Sequence, residues 1–423
     1  MVDSIKVLSI CTSDSSGGAA RAAYRIHQAV KTIGIDSRMF VKQKNTDDPD
    51  VIPLQVFIPG NPFYKAFDWV RNKIKNKWQH LIWGRYPNRS SYFMSDLRST
   101  DINGALQKLD YDILHLHWIN LRFLPLDELP KDKPIVWTLH DSWPFCGVCH
   151  LPYDCKGYVR ECGHCPSLQS ENGDDLSHRV WRKKNSLYSK LDLHIVTPSQ
   201  WLADCAKKSS LFRKYDIRVI PNCIDTNTFA PGNKADACSV LHLNPEKNYL
   251  LFGAMNAVKD ENKGFRFLIE ALSSIQSSLP AYTELIVFGS EDSIEHEISG
   301  IRAINLGMLR DYNKIVAAYQ SSSISIVPSL SENLSNTIME SLSCGTPVIA
   351  FNIGGNGDMI DHQQNGYLAR EMDSQDLAQG ILWCLENNKD GNLSQNARQK
   401  VLDNFTPEVV GEKYANLYKS ILN

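Results

Sequence analysis

Short apolar runs alternate along this chain with longer stretches in which apolar residues recur every three or four positions, the two periods expected of strands and helices. Lys6–Cys11 (KVLSIC) predicts a buried strand, and it ends in the polar, glycine-bearing loop Thr12–Gly18. The period then changes. Ala19–Ile33 predicts a helix, which Gly34 terminates before a short strand at Ser37–Val41. Further strands are predicted at Ile113–His117, Pro134–Leu139, Leu193–Thr197 and Ile217–Ile220, with a helical pattern at Ser199–Ser209. After Pro221 the chain enters a polar stretch, Asp225–Lys247, so that residues 222–247 read as a linker, and the alternation then begins again. Strands are predicted at Tyr249–Gly253, Glu284–Phe288, Ser323–Pro328 and Pro347–Ala350. Helices are predicted at Lys263–Ser278, Asp311–Ser322, Leu334–Cys344, Ser374–Glu386 and Pro407–Leu422. Strands alternating with helices imply parallel sheets covered on both faces. The expected fold class is therefore α/β, with two doubly wound lobes. Ligands of such sheets sit beyond the carboxyl ends of the strands, so the lobes are expected to face a central cleft.

Composition narrows the function classes. At 423 residues with 43% apolar content, the chain exceeds what one core usually supports, in keeping with two lobes. Basic and acidic residues nearly cancel, to a net charge of -2, so there is no broad footprint for nucleic acid. No run approaches the ~20 apolar residues of a membrane span, and the N-terminal residues do not read as a signal peptide. A cytoplasmic location is expected. The odd count of 11 Cys speaks against a complete disulfide framework.

The strongest chemical signal is PSLSENLSNTIMESLSCGTPVIA, Pro328–Ala350. It reads as strand, loop, helix, glycine stop and strand. Backbone amides of Leu334, Ser335 and Asn336 open the helix and form a natural anion site. Glu332 stands just before the helix and Glu340 about two turns on. This segment resembles the Glu-x7-Glu signature of the family-4 retaining glycosyltransferases, which have the two-lobed GT-B fold. Other segments agree in order: SDSSGGAARAA with Gly17 and Gly18, TLHD with His140, TPSQWLA, VIPNCID, NKGF with Lys263, IGGNGDMI and NGYLA. The wording ENLSNTIMESLSCGTPVIAFNIGG resembles that of bacterial enzymes of cell-surface polysaccharide assembly.

The resemblance implies roles. Glu332 would contact donor-sugar hydroxyls, Glu340 the ribose, and the segment Asn333, Leu334 and Ser335 the diphosphate. Lys263 would neutralise the leaving group, and His140 would bond a sugar hydroxyl from the first lobe. Gly17, Gly18 and Gly253 would let the donor approach the backbone. The family commonly has Arg after the glycine of that strand, whereas Ala254 follows Gly253 here, and Lys259 is the expected substitute. His117 is assigned to structure. The implied organisation is an acceptor-binding lobe over residues 1–222, a donor-binding lobe over 223–404, and a final helix within 405–423 that crosses back to the first lobe. The implied reaction moves a sugar from a nucleotide-diphosphate donor to a hydroxyl of a growing, lipid-linked glycan, with retention and without a catalytic metal. A sugar-nucleotide epimerase or phosphorylase on the same fold and an inactive scaffold stay open as alternatives.

Two segments lie outside that scheme. Cys149, Cys155, Cys162 and Cys165 crowd an insertion at 146–166, where four thiolates suit a structural zinc, His150 and His164 are competing ligands, and free or redox-active thiols are the alternative. In the segment 61–92, Phe63, Phe67, Val70, Ile74, Trp78 and Leu81 recur at helical spacing. Lys65, Arg71, Lys73, Lys75 and Lys77 lie among them. A basic amphipathic helix suits an anionic membrane surface, and packing on the first lobe is the alternative.

Overall fold

The computed structural model of the chain describes residues 5–58, 69, 70, 73, 74, 76, 77, 80–90, 103–256, 258–291 and 296–423. They form two compact units, Met1–Ile220 together with Gly411–Asn423, and Pro221–Val410.

The first unit is built on a sheet of strands β1 (Lys6–Ser13), β2 (Asp36–Gln43), β3 (Val51–Pro53), β4 (Ile113–Leu116), β5 (Ile135–Thr138), β6 (Leu193–Thr197) and β7 (Ile217–Val219). Their order is β3-β2-β1-β4-β5-β6-β7, and every pairing is parallel. The second unit contains β8 (Asn248–Gly253), β9 (Thr283–Phe288), β10 (Glu297–Ile298), β11 (Ile301–Asn305), β12 (Ile324–Val327), β13 (Val348–Phe351) and β14 (Gly366–Ala369). Its order is β10-β11-β9-β8-β12-β13-β14, parallel except for the edge strand β10.

Period-two alternation explains why both faces of the second sheet are dry. Tyr249, Leu251, Ile286, Phe288, Val348 and Ala350 point into one core. Their neighbours Leu250, Phe252, Leu285, Val287, Ile349 and Phe351 point into the other. Helices close each face, and polar side chains mark their starts: Ser199 accepts from the Leu202 amide, and Asp311 from that of Asn313.

In each sheet the strand order reverses beside one strand. The chain steps outward from β1 to β2 and then returns to its other side with β4. It likewise leaves β8 through β9 and returns with β12. The carboxyl ends of β1 and β4, and of β8 and β12, are the topological switch points where open α/β sheets bind ligands.

Three readings of the sequence need correction. The stretch Asp225–Lys247 is no bare linker. It carries the helix Lys234–Leu241, capped by Asn233, whose Ala237, Cys238 and Leu241 are buried in the second core. The helix predicted from Lys263 begins at Phe265, because Glu261–Lys263 is a separate tight turn and Gly264 adopts φ 71°. Helices Leu176–Tyr188 and Asn392–Asn404 were not predicted, since both are largely polar and bury only a narrow stripe. Much of the amphipathic segment, including Phe63, Phe67 and Trp78, lies outside the described residues. Trp69, Val70, Ile74 and Leu81 within it are exposed. Among the described residues no helix is long and apolar enough to cross a membrane.

Candidate active site

At the second switch point, the loops after β8 and β12 are bound to one another by backbone as well as side chains. Asn262 accepts from the Leu330 amide through its carbonyl (2.8 Å), and its own side chain donates to the Ser331 carbonyl (3.0 Å). Gly264 allows this approach. A Cβ there would stand 1.8 Å from the Pro328 carbonyl oxygen, and the positive φ disfavours any other residue. The clasp sets Lys263 opposite Glu332, with Nζ donating to Oε1 at 2.8 Å. Both side chains are partly buried, at 22% and 17% exposure, so water reaches the pair.

The loop after β13 closes over the same place. Gly354, at φ 52°, has its Cα so near the Glu332 carbonyl that a Cβ would lie 1.7 Å from that oxygen. Helix Asn336–Ser343 then starts at Ser335, which makes no side-chain cap, and its first turn contains no acidic residue. An uncapped, acid-free N-terminus of eight residues presents amides and the positive end of its dipole. Glu340, on the next turn, is 5% exposed and accepts from the Tyr319 hydroxyl at 3.3 Å. Asn333 precedes the helix, while Leu334 and Ser335 are buried. Lys259 is exposed on the loop after β8, in a turn closed by its own amide on the Asn256 carbonyl. Gly253 ends β8 against the Phe288 ring.

At the first switch point the grouping is of a different kind. Gly17 precedes the helix Gly18–Thr32 at φ 92°, with open space where a Cβ would project. Beneath this loop the fully buried Asp14 accepts from the amides of Asn45 and Thr46 and from the Thr46 hydroxyl. Beyond β4 and β5, His117 Nδ1 meets His140 Nε2 at 3.0 Å. The next residue, Asp141, accepts from the Trp118 indole (2.9 Å) and lies 2.6 Å from His150 Nδ1. Inside the sheet His115 bonds Thr138 Oγ1 (2.8 Å) through Nε2 and the Tyr418 hydroxyl (2.7 Å) through Nδ1, and Thr138 also meets the Tyr414 hydroxyl (2.9 Å). Burial drives these imidazoles neutral. It pushes His115 down to about 3 and His140 to about 4, and holds His117 well below its ordinary value. A neutral His140 can donate or accept one hydrogen bond but carries no charge to a ligand.

Both halves of the sequence match known families at these loops. Residues 16–228 match the model described as Glycosyltransferase Family 4, and residues 246–387 the model described as Glycosyl transferases group 1. The chain is a family-4 glycosyltransferase. A D-inositol 3-phosphate glycosyltransferase of Acidothermus cellulolyticus is 30% identical to it over 84% of this chain and 74% of its own length. The putative colanic acid biosynthesis glycosyl transferase WcaC of Escherichia coli is 23% identical over 74% of this chain and 76% of its own. Among solved structures, HepE of Anabaena in complex with UDP-glucose superposes with a TM-score of 0.61 at 16% identity, covering 98% of this chain and 100% of that one. The glycosyltransferase thus has the GT-B fold and is related to enzymes of polysaccharide biosynthesis.

In this glycosyltransferase the structure brings Lys263 and Glu332 together, and His140 with His117. Sequence reasoning missed Asn262 and Tyr319, which hold Lys263's loop and Glu340. It also missed Tyr414 and Tyr418, because their partners lie 276 and 303 residues away along the chain. The period-two strand ILHLH was the available clue to His115: a histidine on an otherwise apolar buried strand needs a partner.

Proposed function

We propose that this glycosyltransferase retains anomeric configuration, taking a hexose from a nucleotide-diphosphate donor and passing it to a hydroxyl of a lipid-linked glycan in surface polysaccharide assembly. The observation that carries the reading is the Lys263–Glu332 pair at the second switch point, beside the uncapped start of helix Asn336–Ser343. As the glycosidic bond breaks, negative charge grows on the diphosphate. Lys263 and the helix amides are the fixed positive groups positioned to stabilise it. Glu332 holds Lys263 in place and offers its remaining oxygen to a sugar hydroxyl, while Glu340 accepts from the ribose. No metal is required by this arrangement, since the leaving phosphate itself takes the acceptor's proton on the front face.

Relatives support the substrate class: WcaC is named for colanic acid biosynthesis, and HepE was solved with UDP-glucose. Exposed Trp69, Val70 and Ile74 support work at a cytoplasmic membrane face, where a lipid-linked acceptor resides. The test is a thermal-shift screen of UDP- and GDP-sugars, followed by incubation of the best donor with extracted lipid-linked glycans and NMR of the product. A product with the donor's anomeric configuration is expected. Inversion would overturn the retaining mechanism, and donor isomerised without acceptor would make the protein an epimerase.

A further inference from the structure

The glycosyl-transfer reading gives no task to the insertion after His140. Its cysteines nevertheless gather. Cys146, Cys149, Cys155, Cys162 and Cys165 all line one small cavity with Tyr158. Four of the five sulfurs have hydrogen-bond partners. The Gly157 amide donates to Cys155 Sγ (3.4 Å) and the Gly147 amide to Cys162 Sγ (3.2 Å). Cys149 Sγ meets Ser167 Oγ (3.4 Å) and also bonds the Cys165 thiol. Amide N–H groups aimed at sulfur are what a metal-bound thiolate needs around it. Cys146 differs: its carbonyl is engaged by Lys184, and its thiol has no such donor among the described residues.

The backbone is also held in an unusual shape. Cys162, Gly163 and His164 are consecutive residues at φ 53°, 108° and 45°, a conformation that non-glycine residues hold only where the surroundings enforce it. Below the loop lies a buried lysine; the carboxylate that acts on it, Asp141, makes no salt bridge with it among the described residues. Lys184, on helix Leu176–Tyr188, is 0% exposed. Its Nζ donates to the carbonyls of Trp143, Cys146 (2.8 Å) and Gly147 (3.1 Å) and lies 3.6 Å from the centroid of the Trp143 ring. Among the described residues it makes no ion pair with a carboxylate. An unpaired buried ammonium is costly, and a nearby anion would repay the cost.

We propose that Cys149, Cys155, Cys162 and Cys165 bind one structural zinc ion and that Lys184 is its buried counter-charge. On binding, each thiol loses its proton. Four thiolates around Zn²⁺ leave a net charge of about -2, which the Lys184 ammonium half neutralises. Among the described residues no three such side chains already stand as a closed metal shell, so the ion draws the sulfurs inward across the cavity they share. The clamp fixes the segment that follows His140, to which it is joined through Asp141 and His150.

The full chain, purified without chelator or nickel, is expected to contain about one zinc per molecule by plasma mass spectrometry. A mercurial thiol reagent should release that zinc in step with thiol modification. Replacing it with Co²⁺ should give the charge-transfer and visible bands of tetrahedral thiolate coordination. These wild-type measurements stand even if a cysteine variant fails to fold. Among variants, Cys155→Ser should lose the metal and Cys146→Ser keep it, while Lys184→Met should surrender zinc to a chelator roughly ten- to a hundredfold more readily. The proposal is overturned by far less than one zinc together with free thiols, or by a Cys149–Cys165 disulfide in the native protein. Metal kept in Cys155→Ser but lost in Cys146→Ser would overturn the ligand assignment.

Discussion

The two switch points solve the same problem, placing polar groups at the end of a sheet, by opposite means. In the second unit the Lys263–Glu332 pair is charged and partly wet, and most of the groups are close in sequence: Glu332, the helix start and the buried Glu340 belong to one run of residues, and Lys263 faces Glu332 across a clasp of two loops. In the first unit the imidazoles of His115, His117 and His140 are neutral, dry and drawn from distant parts of the chain, with the carboxylates of Asp14 and Asp141 held nearby by hydrogen bonds, and His115 is fixed by a tyrosine 303 residues away. The Lys263–Glu332 pair retains its charge because water and a counter-ion keep both ions solvated. A site buried inside the sheet loses charge, since burial penalises the protonated imidazole. The difference predicts where each unit is fragile.

Acid should separate them most strongly. His27, His115, His117 and His140 all lie in the first unit, and burial lowers each of them in the folded state, to about 4 for His27. The unfolded chain binds a proton at each near pH 6.5. Stability from these groups is therefore complete above about pH 6.5 and is lost as pH falls towards 4, by roughly 1.4 kcal/mol per pH unit per histidine. The first unit is expected to open in mild acid before the second. Eight of the nine tryptophans precede residue 220 and Trp383 alone lies beyond, so intrinsic fluorescence follows the first unit. Hydrogen exchange at β12 and β13 follows the second. Simultaneous loss of both signals would break the contrast.

Next in size is the backbone clasp. Gly264→Ala places a methyl 1.8 Å from the Pro328 carbonyl at a φ that alanine resists. A loss of about 4 kcal/mol in the second unit's stability is expected, read by hydrogen exchange around β8 and β12. If the variant has wild-type protection, the two loops are not held together by this contact.

How much of this was legible beforehand follows from the same contrast. The motif at the second switch point was readable because it is contiguous: Pro328–Ala350 contains its own strand, uncapped helix start and glycine stop. The core strands were readable because apolar runs buried on both faces need no knowledge of their neighbours. Short edge strands such as β3 and β10 were invisible, since three and two residues carry no period. Helix Lys234–Leu241 was hidden in a polar stretch because only three of its residues are buried. The histidine cluster could not be assembled from sequence at all. Its registry depends on β4 pairing with β5, which sets His115 opposite Val136 so that the side chains of His115 and His117 reach Thr138 and His140 two residues further along, and on the last helix contributing Tyr414 and Tyr418 to the first unit.

A smaller effect, on chemistry rather than stability, tests the charged site. Lys263→Met keeps the length of the side chain and removes the ammonium. A fall in kcat of about a hundredfold, near 3 kcal/mol, is expected, with little change in KM for the donor, because charge on the diphosphate is greatest in the transition state. Equal rises in donor KM with unchanged kcat would show instead that Lys263 only binds.

The smallest expected effect concerns the neutral site. In Tyr418→Phe the hydroxyl bonded to His115 Nδ1 is removed, leaving a buried ring nitrogen without that partner inside a 0% exposed strand. A loss of about 1–2 kcal/mol is expected, measured as a shift of the urea midpoint followed by tryptophan fluorescence. Tyr414→Phe should cost less, since Thr138 keeps its bond to His115 when Tyr414 loses its hydroxyl. The ranking depends on geometry, as the tyrosine rings are equally buried and either change removes one oxygen. If the two variants cost the same, the last helix is held to the sheet by ring packing alone. If Tyr418→Phe costs more and also raises KM for the acceptor, then the chain of contacts through His115, whose ring lies tilted with its centroid 4.1 Å from that of His117, reaches His140 and positions it.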